Sequence, residues 1–178
     1  MLKLWKLPRK CRDLAQDARA IAGRRDVLYH GTRYPRCLFR HNVLFSTGDQ
    51  VAFTRSPEVA AYFSSLDRDD DEGRGAILVF DRRSLQSRYR LEPWHDPIFD
   101  TASFRQDEME ERVWWRDIAD VRRHLIGTVM TGRTKSRARK TYNNRRHELQ
   151  IRLRVAGVDP ALAFEIAGAL MVGGKKQG

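Results

Sequence analysis

The sequence predicts an α+β fold in which short helices pack against a mixed or antiparallel β-sheet. Three observations favour this class. The central part of the chain contains six or seven apolar segments of strand length, separated by turns and short helical segments. Residues 76–80 form an unbroken apolar run, which is typical of a buried strand. Helix start and stop signals stand on both sides of this region, which predicts flanking N-terminal and C-terminal helices.

Apolar spacing places the first elements. Residues 9–23 carry one apolar stripe and end at Gly23, so they are expected to form a helix. Short strands are expected at residues 26–30, 43–45 and 51–54.

A second helix is predicted directly after the third strand. Ser56 is a typical N-cap and Pro57 suits the first helical position, so this helix is expected to run to about Ser65. The charged segment 67–75 is expected to form an exposed loop, and residues 88–91 to form another strand.

The second half is expected to add two strands and two helices. Strands are predicted at residues 110–115 and 124–130, with a turn or short helix between them. Residues 148–155 fit a strand or a helix, and we favour a helix. An Asp-Pro pair caps a last helix at 161–172. Because that helix is apolar on nearly all sides, it is expected to bury itself against the protein body or a second subunit.

Charge divides the chain into three parts. Residues 1–25 have a net charge of +6 and are expected to be a basic N-terminal helix. Residues 132–178 have a net charge of +8 and are expected to be a basic helical extension. The intervening residues 26–131 carry −3 and are expected to form a central domain. The basic flanks predict a nucleic acid or another acidic macromolecule as partner, or they are solvated helical faces that maintain solubility.

The composition disfavours several classes of protein. No stretch approaches the roughly 18 apolar residues of a membrane span, and no secretory signal is evident. The two cysteines, Cys11 and Cys37, do not suggest a disulfide scaffold, so a cytoplasmic protein is expected. Zinc-ligand spacings and glycine-rich phosphate loops are missing, and we assign no metal site.

The first candidate site feature is the segment Tyr29-His30-Gly31-Thr32 at the end of a predicted strand. Glycine lets a flat ligand approach the backbone, because no Cβ intervenes, and threonine adds a hydroxyl group. A His-Gly pair in this position is also common in ordinary turns.

The second feature is the junction Thr54-Arg55-Ser56, where a strand leads into the predicted helix. Such junctions direct helix amides into a crevice that suits phosphates. On the helix, Tyr62 offers a ring for stacking on a planar ligand, whereas Phe63 is expected to lie in the core.

The third feature is an acidic cluster at the start of a predicted strand. Four of the five residues 107–111 are acidic, and such crowding is electrostatically costly unless Arg105 and Arg112 offset it. A carboxylate in this position can stabilise a positively charged, sugar-like transition state.

In this order, the three features resemble the ADP-ribosyltransferase superfamily, especially its His-Tyr-Glu branch, over about residues 26–130. The resemblance implies that residues 26–131 are the catalytic domain, with an ADP-ribosyltransferase-like split β-sheet core and NAD as substrate. It also implies that the enzyme breaks the nicotinamide–ribose bond and transfers ADP-ribose to a macromolecule. Small transferases of this kind include bacterial toxins and phage-encoded modifiers of host proteins.

By this resemblance, His30 binds a ribose of NAD, Gly31 holds the nicotinamide amide, and Thr32 lines the same pocket. Tyr62 stacks on the nicotinamide ring. Arg55 stands where many relatives have a small hydroxyl residue, and either holds the NAD pyrophosphate or pairs with the acidic cluster.

The resemblance leaves the catalytic glutamate open. Glu111 precedes an apolar strand as a catalytic glutamate should, and we favour it. Glu110 is the second candidate, because it forms a Glu-x-Glu pair with Glu108, as in the branch of arginine-modifying toxins.

Two other functions stay open. An RNA 2′-phosphotransferase resembles the same superfamily and would suit a basic surface, but the acidic cluster counts against it. A non-enzymatic nucleic-acid-binding or virion-associated protein would use the arginine-rich flanks and associate with itself through the helix at 161–172.

Overall fold

A computed structural model of the chain describes residues 9–46, 49–65, 74–94, 110–132 and 142–173. Within these residues the protein is α+β, with a six-stranded antiparallel sheet, a two-stranded sheet and several helices. The predicted loop at 67–75 lies mostly outside the described residues, as do Glu108 and the basic run 133–140.

The described residues contain eight strands and seven helices. The strands are β1 (Val27–Thr32), β2 (Val43–Leu44), β3 (Gln50–Thr54), β4 (Ala76–Asp81), β5 (Glu92–Trp94), β6 (Glu110–Trp114), β7 (Ile118–Ala119) and β8 (Leu125–Met130). The helices are α1 (Arg9–Ala22), α2 (Pro35–His41), α3 (Pro57–Ser64), α4 (Arg82–Gln86), α5 (Val121–His124), α6 (Tyr142–Val155) and α7 (Pro160–Gly173).

The large sheet has the strand order β5-β6-β3-β1-β4-β8, and all its neighbouring strands are antiparallel. Strand β4 pairs along the whole of β1, but β3 pairs with β1 at a single position, Tyr29 opposite Thr54. Beyond this pair, β1 and β3 no longer form a regular ladder. Strands β2 and β7 pair separately as the small sheet.

Each face of the large sheet has its own apolar cluster. One face includes Leu28, Phe53 and Phe80 and is covered by the small sheet and the helices α2, α4 and α5. The other face includes Tyr29 and Val79 and is covered by α1 and α3. Helix α1 contributes small and apolar residues to this second cluster, so the basic N-terminal helix is also a core element.

Several sequence predictions are confirmed. Helix α1 ends at Ala22, and Gly23 follows it with φ +58°. Helix α3 begins at Pro57, where the Ser56 hydroxyl accepts a hydrogen bond from the Val59 N–H. The apolar run at 76–80 is the fully buried strand β4, and residues 148–155 belong to helix α6.

The predicted strand at 88–91 is wrong. The N–H groups of Arg88 and Tyr89 donate to the Leu85 carbonyl at 3.0 and 2.9 Å, which turns the chain after helix α4. The strand in this region is β5, which starts at Glu92. Helices α2 and α4 were not predicted. They are seven and five residues long, and segments this short show no apolar stripe.

The last helix, α7, is less buried than its composition predicted. Its N-terminal amides at Ala161 and Leu162 are capped by Asp159, as expected. Ala163 and Ala167 are buried, and α7 packs mainly on α6. Three large apolar side chains on α7 are exposed, namely Leu162, Phe164 and Leu170.

Glycine is required at position 31 by the close approach of β1 to α3. A Cβ on Gly31 would lie 2.1 Å from the Ala60 carbonyl oxygen, which is a backbone atom of α3 and cannot move aside alone. We therefore expect Gly31→Ala to lower the free energy of unfolding by about 1–3 kcal/mol or more, measured by urea denaturation.

Gly132→Ala is the matched control for Gly31→Ala. Its Cβ would meet only the flexible end of Lys10, at 3.7 Å. Equal effects of the two substitutions on stability would contradict the close β1–α3 packing.

Candidate ligand-binding site

A cavity of about 320 Å³ opens where strands β1 and β3 diverge. This volume lies within the range of small-molecule binding sites. The lining residues come from the end of β1, the α2–β2 region, β3, the end of α3 and α6. They are His30, Gly31, Thr32, Arg33, Tyr34, Cys37, Leu38, Val43, Leu44, Phe45, Gln50, Val51, Ala52, Phe63 and Ile151.

His30 joins the two diverging strands through its side chain. Its Nδ1 lies 2.8 Å from the Ala52 carbonyl oxygen, and its ring meets the Phe53 ring edge-on at 5.9 Å. Burial lowers the pKa of His30, against the opposing effect of this backbone hydrogen bond. Because the carbonyl oxygen can only accept, the neutral ring carries its proton on Nδ1 and presents Nε2 as an acceptor. An acceptor in this position suits a ligand hydroxyl group.

Gly31 brings the end of helix α3 to the cavity. The contact of Gly31 with Ala60 sets α3 against β1, and Phe63 then forms part of the cavity wall. Phe63 is half-buried, so its expected place in the core was wrong. Tyr62 lies outside the cavity lining and packs its ring edge-on against Phe63, at 5.4 Å between ring centroids.

Thr32 is buried and lines the cavity beside Arg33. Its hydroxyl oxygen accepts a hydrogen bond from the Tyr34 N–H at 3.1 Å, which shapes the turn into α2. Thr54 and Ser56 serve a similar local purpose at the start of α3. The Thr54 hydroxyl oxygen accepts from the Ser56 N–H at 3.0 Å, and Ser56 caps the helix.

Glu111 lies on the same face of the sheet as His30, with Phe53 between them. Phe53 contacts the His30 ring and stands opposite Glu111 in the β3–β6 ladder. The Glu111 side chain is 6% exposed and forms ion pairs with two arginines. Arg55 Nη2 lies 2.6 Å from Glu111 Oε1, and Arg82 Nε lies 3.0 Å from Oε2. Arg55 therefore pairs with the acidic cluster, the second of its two predicted roles.

Glu110 points to the other face of the sheet. It pairs with Arg112 at 2.6 Å, and the Arg112 guanidinium lies over the Trp94 ring, 4.7 Å from its centroid. Both members of the pair are buried. The Glu110–Arg112 pair and the Trp94 ring thus lie on one face of the β5–β6 pair, and Glu110 is directed away from the face that His30 occupies.

The structure therefore brings together part of the predicted site. His30, Gly31 and Thr32 share the cavity. The remaining predicted site residues lie outside its lining, namely Thr54, Arg55, Ser56, Tyr62, Glu110 and Glu111. Glu111 and Arg55 belong to a neighbouring charged cluster that also contains Arg82 and Asp26.

Sequence reasoning missed Gln50, which lines the cavity from the first position of β3. Its Oε1 atom is buried and has no hydrogen-bond partner among the described residues. A buried acceptor without a partner costs stability unless a ligand satisfies it. Its sequence context, between turn residues and an apolar strand, gives no signal of this role.

Comparisons with protein-family models, curated proteins and solved structures find no match to this chain. None of the described helices combines the length and apolar character that a membrane-spanning helix needs. Within the described residues, no group of three or more His, Cys, Asp or Glu side chains is arranged to hold a metal ion. The chemistry that the cavity can support therefore depends on its own lining side chains.

Replacing Gln50 by methionine tests whether its unpartnered side-chain oxygen binds a ligand. Gln50→Met removes the unsatisfied acceptor at similar size, so the free energy of unfolding should stay the same or rise by up to about 1 kcal/mol. Binding of NAD, the ligand that the sequence resemblance implies, should weaken, as measured by calorimetry. The exposed Gln16→Met on α1 is the control. A large loss of stability in Gln50→Met would show that the glutamine serves the fold instead.

A second buried histidine, His124, lies away from the cavity on helix α5. It is 1% exposed, and its Nδ1 lies 2.7 Å from the Ser84 hydroxyl. Burial lowers the pKa of His124, as do the charges of Arg88 and Arg123, whereas Asp120 raises it. Its Nε2 has no partner among the described residues.

These two histidines predict acid sensitivity. Because the folded-state pKa values of His30 and His124 are lowered, the unfolded chain binds more protons below about pH 6.5. Stability should therefore fall as pH is lowered from 7 to 5, as measured by urea denaturation. His124→Gln should flatten this dependence, whereas the exposed His41→Gln should not. A wild-type free energy of unfolding that does not change between pH 7 and 5 would contradict the lowered pKa values of the two histidines.

Proposed function

We propose that this protein is an NAD-dependent ADP-ribosyltransferase. The observation that carries the proposal is the cavity in which the neutral His30 ring, the Gly31 backbone and the Phe63 ring share one wall. A nicotinamide ring has a flat face and a carboxamide, and the adjoining ribose has hydroxyl donors. An aromatic wall, an accessible backbone and an imidazole acceptor complement these groups.

The reaction breaks the bond between the ribose C1′ and the nicotinamide nitrogen. Nicotinamide leaves with the bonding electrons, the ribose becomes an oxocarbenium ion, and an acceptor nucleophile forms the new bond and loses its proton. A carboxylate near C1′ stabilises the developing positive charge. Glu111 is the best placed candidate, because it occupies the same face of the sheet as His30.

The two arginines around Glu111 fit a substrate with a pyrophosphate. Arg55 is 39% exposed at its side chain, so an anionic ligand can reach it from solvent. We propose that the NAD pyrophosphate takes over Arg55 and releases one ion pair of Glu111. The carboxylate would then be held by Arg82 alone and would be available to the ribose.

The acceptor and the partners rest on charge and exposed surface. The basic N-terminal and C-terminal segments favour a nucleic acid, or a protein bound to one, as acceptor or carrier. Self-association would use α7, where Leu162, Phe164 and Leu170 are exposed.

Labelled NAD tests the proposal directly. The protein is incubated with NAD, with and without nucleic acid and cell extract, and nicotinamide release and label transfer are measured. Glu111→Gln should lower the rate by about 100-fold or more, because one charge that stabilises the transition state is removed. Glu110→Gln is the matched control and should change the rate far less, since Glu110 faces the other side of the sheet.

Circular dichroism of both variants ensures that a lost rate does not reflect unfolding. Absence of nicotinamide release under every condition would contradict the proposal. Salt-sensitive binding of nucleic acid without NAD turnover would instead favour the non-enzymatic function.

A further inference from the structure

Helix α6, in the C-terminal segment of the chain, contributes Ile151 to the wall of the ligand cavity. This residue belongs to the segment 132–178, which its charge marks as a basic extension. An apolar side chain at the cavity from a distant part of the chain is unexpected if the extension only contacts acidic macromolecules. The extension therefore has a second use.

An ion pair holds α6 in this position. Arg154 lies one turn after Ile151 and pairs with Asp117, between β6 and β7. Both side chains are largely removed from solvent, at 10% and 23% exposed. A pair of this kind is costly to break by removing one partner, because the other charge is left without compensation.

The same aspartate also holds the rim of the cavity. Asp117 Oδ1 accepts a hydrogen bond from the Ser46 N–H at 2.8 Å, and the preceding residue, Phe45, lines the cavity. Asp117 therefore connects α6 with the β2 end of the cavity through one side chain. Helix α6 otherwise packs mainly on α7. The Asp117–Arg154 pair and Ile151 therefore position α6 beside the cavity.

We propose that helix α6, which packs on α7, closes one side of the ligand site and that Ile151 limits the size of the molecule that enters. As a statement about NAD, this inference rests on the proposed function. As a statement about the cavity, it rests on the placement of Ile151 and the Asp117 contacts alone. Ile151 is then a specificity-determining residue that the extension supplies to a cavity otherwise lined by strands of the sheets and by helices α2 and α3.

The thiol of Cys37 provides a probe that does not depend on NAD. Cys37 lines the cavity and is half-buried, whereas Cys11, on the packed face of α1, is buried at 4% exposure. The rate at which iodoacetamide modifies each cysteine of the full chain is measured by peptide mass spectrometry. Cys11 serves as an internal reference, since its modification rises only if the protein unfolds.

We expect Ile151→Ala to raise the Cys37 modification rate by about threefold or more, and Ile151→Trp to lower it by a similar factor. The same substitutions at Val155, which is 43% exposed on the same helix and does not line the cavity, should leave the rate unchanged. Ile151→Val offers a milder change if Ile151→Ala exposes Cys11. Equal Cys37 rates in the Ile151 and Val155 variants would overturn the inference.

Adding NAD to the same experiment separates the two proposals. NAD should protect Cys37 in the wild-type protein. If the Ile151 variants change the Cys37 rate but NAD gives no protection, the wall formed by α6 stands and the proposed use of the cavity for NAD fails.

Discussion

Helix α3 and strand β1 meet at a distance that only glycine allows. The Ala60 carbonyl occupies the space that a Cβ at position 31 would need. This contact fixes α3 across one face of the sheet, beside α1. It also sets the end of α3 next to His30, so that Phe63 and the imidazole form part of one cavity. Strand β1 and the end of helix α3 thus line the cavity together, and the divergence of β1 from β3 opens its space.

Charge organises the neighbouring part of the same sheet face. Glu111 is buried and is held by Arg55 from the β3–α3 junction and Arg82 from the start of α4. Asp26 contacts both arginines from the residue before β1, at 3.4 and 3.5 Å. Two cations and two anions offset each other, and hydrogen bonds orient the buried carboxylate. Such a cluster tolerates burial of Glu111 because each charge has partners.

The parts of the fold that were predictable from sequence are those fixed by local chemistry. Ser56 and Pro57 mark the start of α3, because capping depends on adjacent residues alone. The apolar run at 76–80 predicts β4, because a strand covered on both faces needs apolar residues throughout. His30, Gly31 and Thr32, which are adjacent in the chain, line one cavity. The ADP-ribosyltransferase-like arrangement of the core stays a prediction.

The missed features depend on contacts between distant residues. The choice between Tyr62 and Phe63 as cavity residue follows from how α3 rotates against β1, which neighbouring residues do not encode. Ile151 lines the cavity from a helix whose Arg154 pairs with Asp117, 37 residues away in sequence, and no local pattern indicates such a contact. The segment after α4 has the apolar residues of a strand, but Tyr89 and Leu91 pack against the core from a turn and the residues that follow it.

Titration of uniformly ¹⁵N-labelled protein with NAD, followed by amide chemical shifts, tests the central claim most directly. Saturable shifts are expected at the amides of Gly31, Thr32 and Phe63, with smaller shifts at Ile151 on α6. Amides on the opposite side of the molecule, such as those in the middle of α1, should not move. Shifts confined to the basic segments, or no saturable shift at any of the cavity amides, would contradict the assignment of this cavity to NAD.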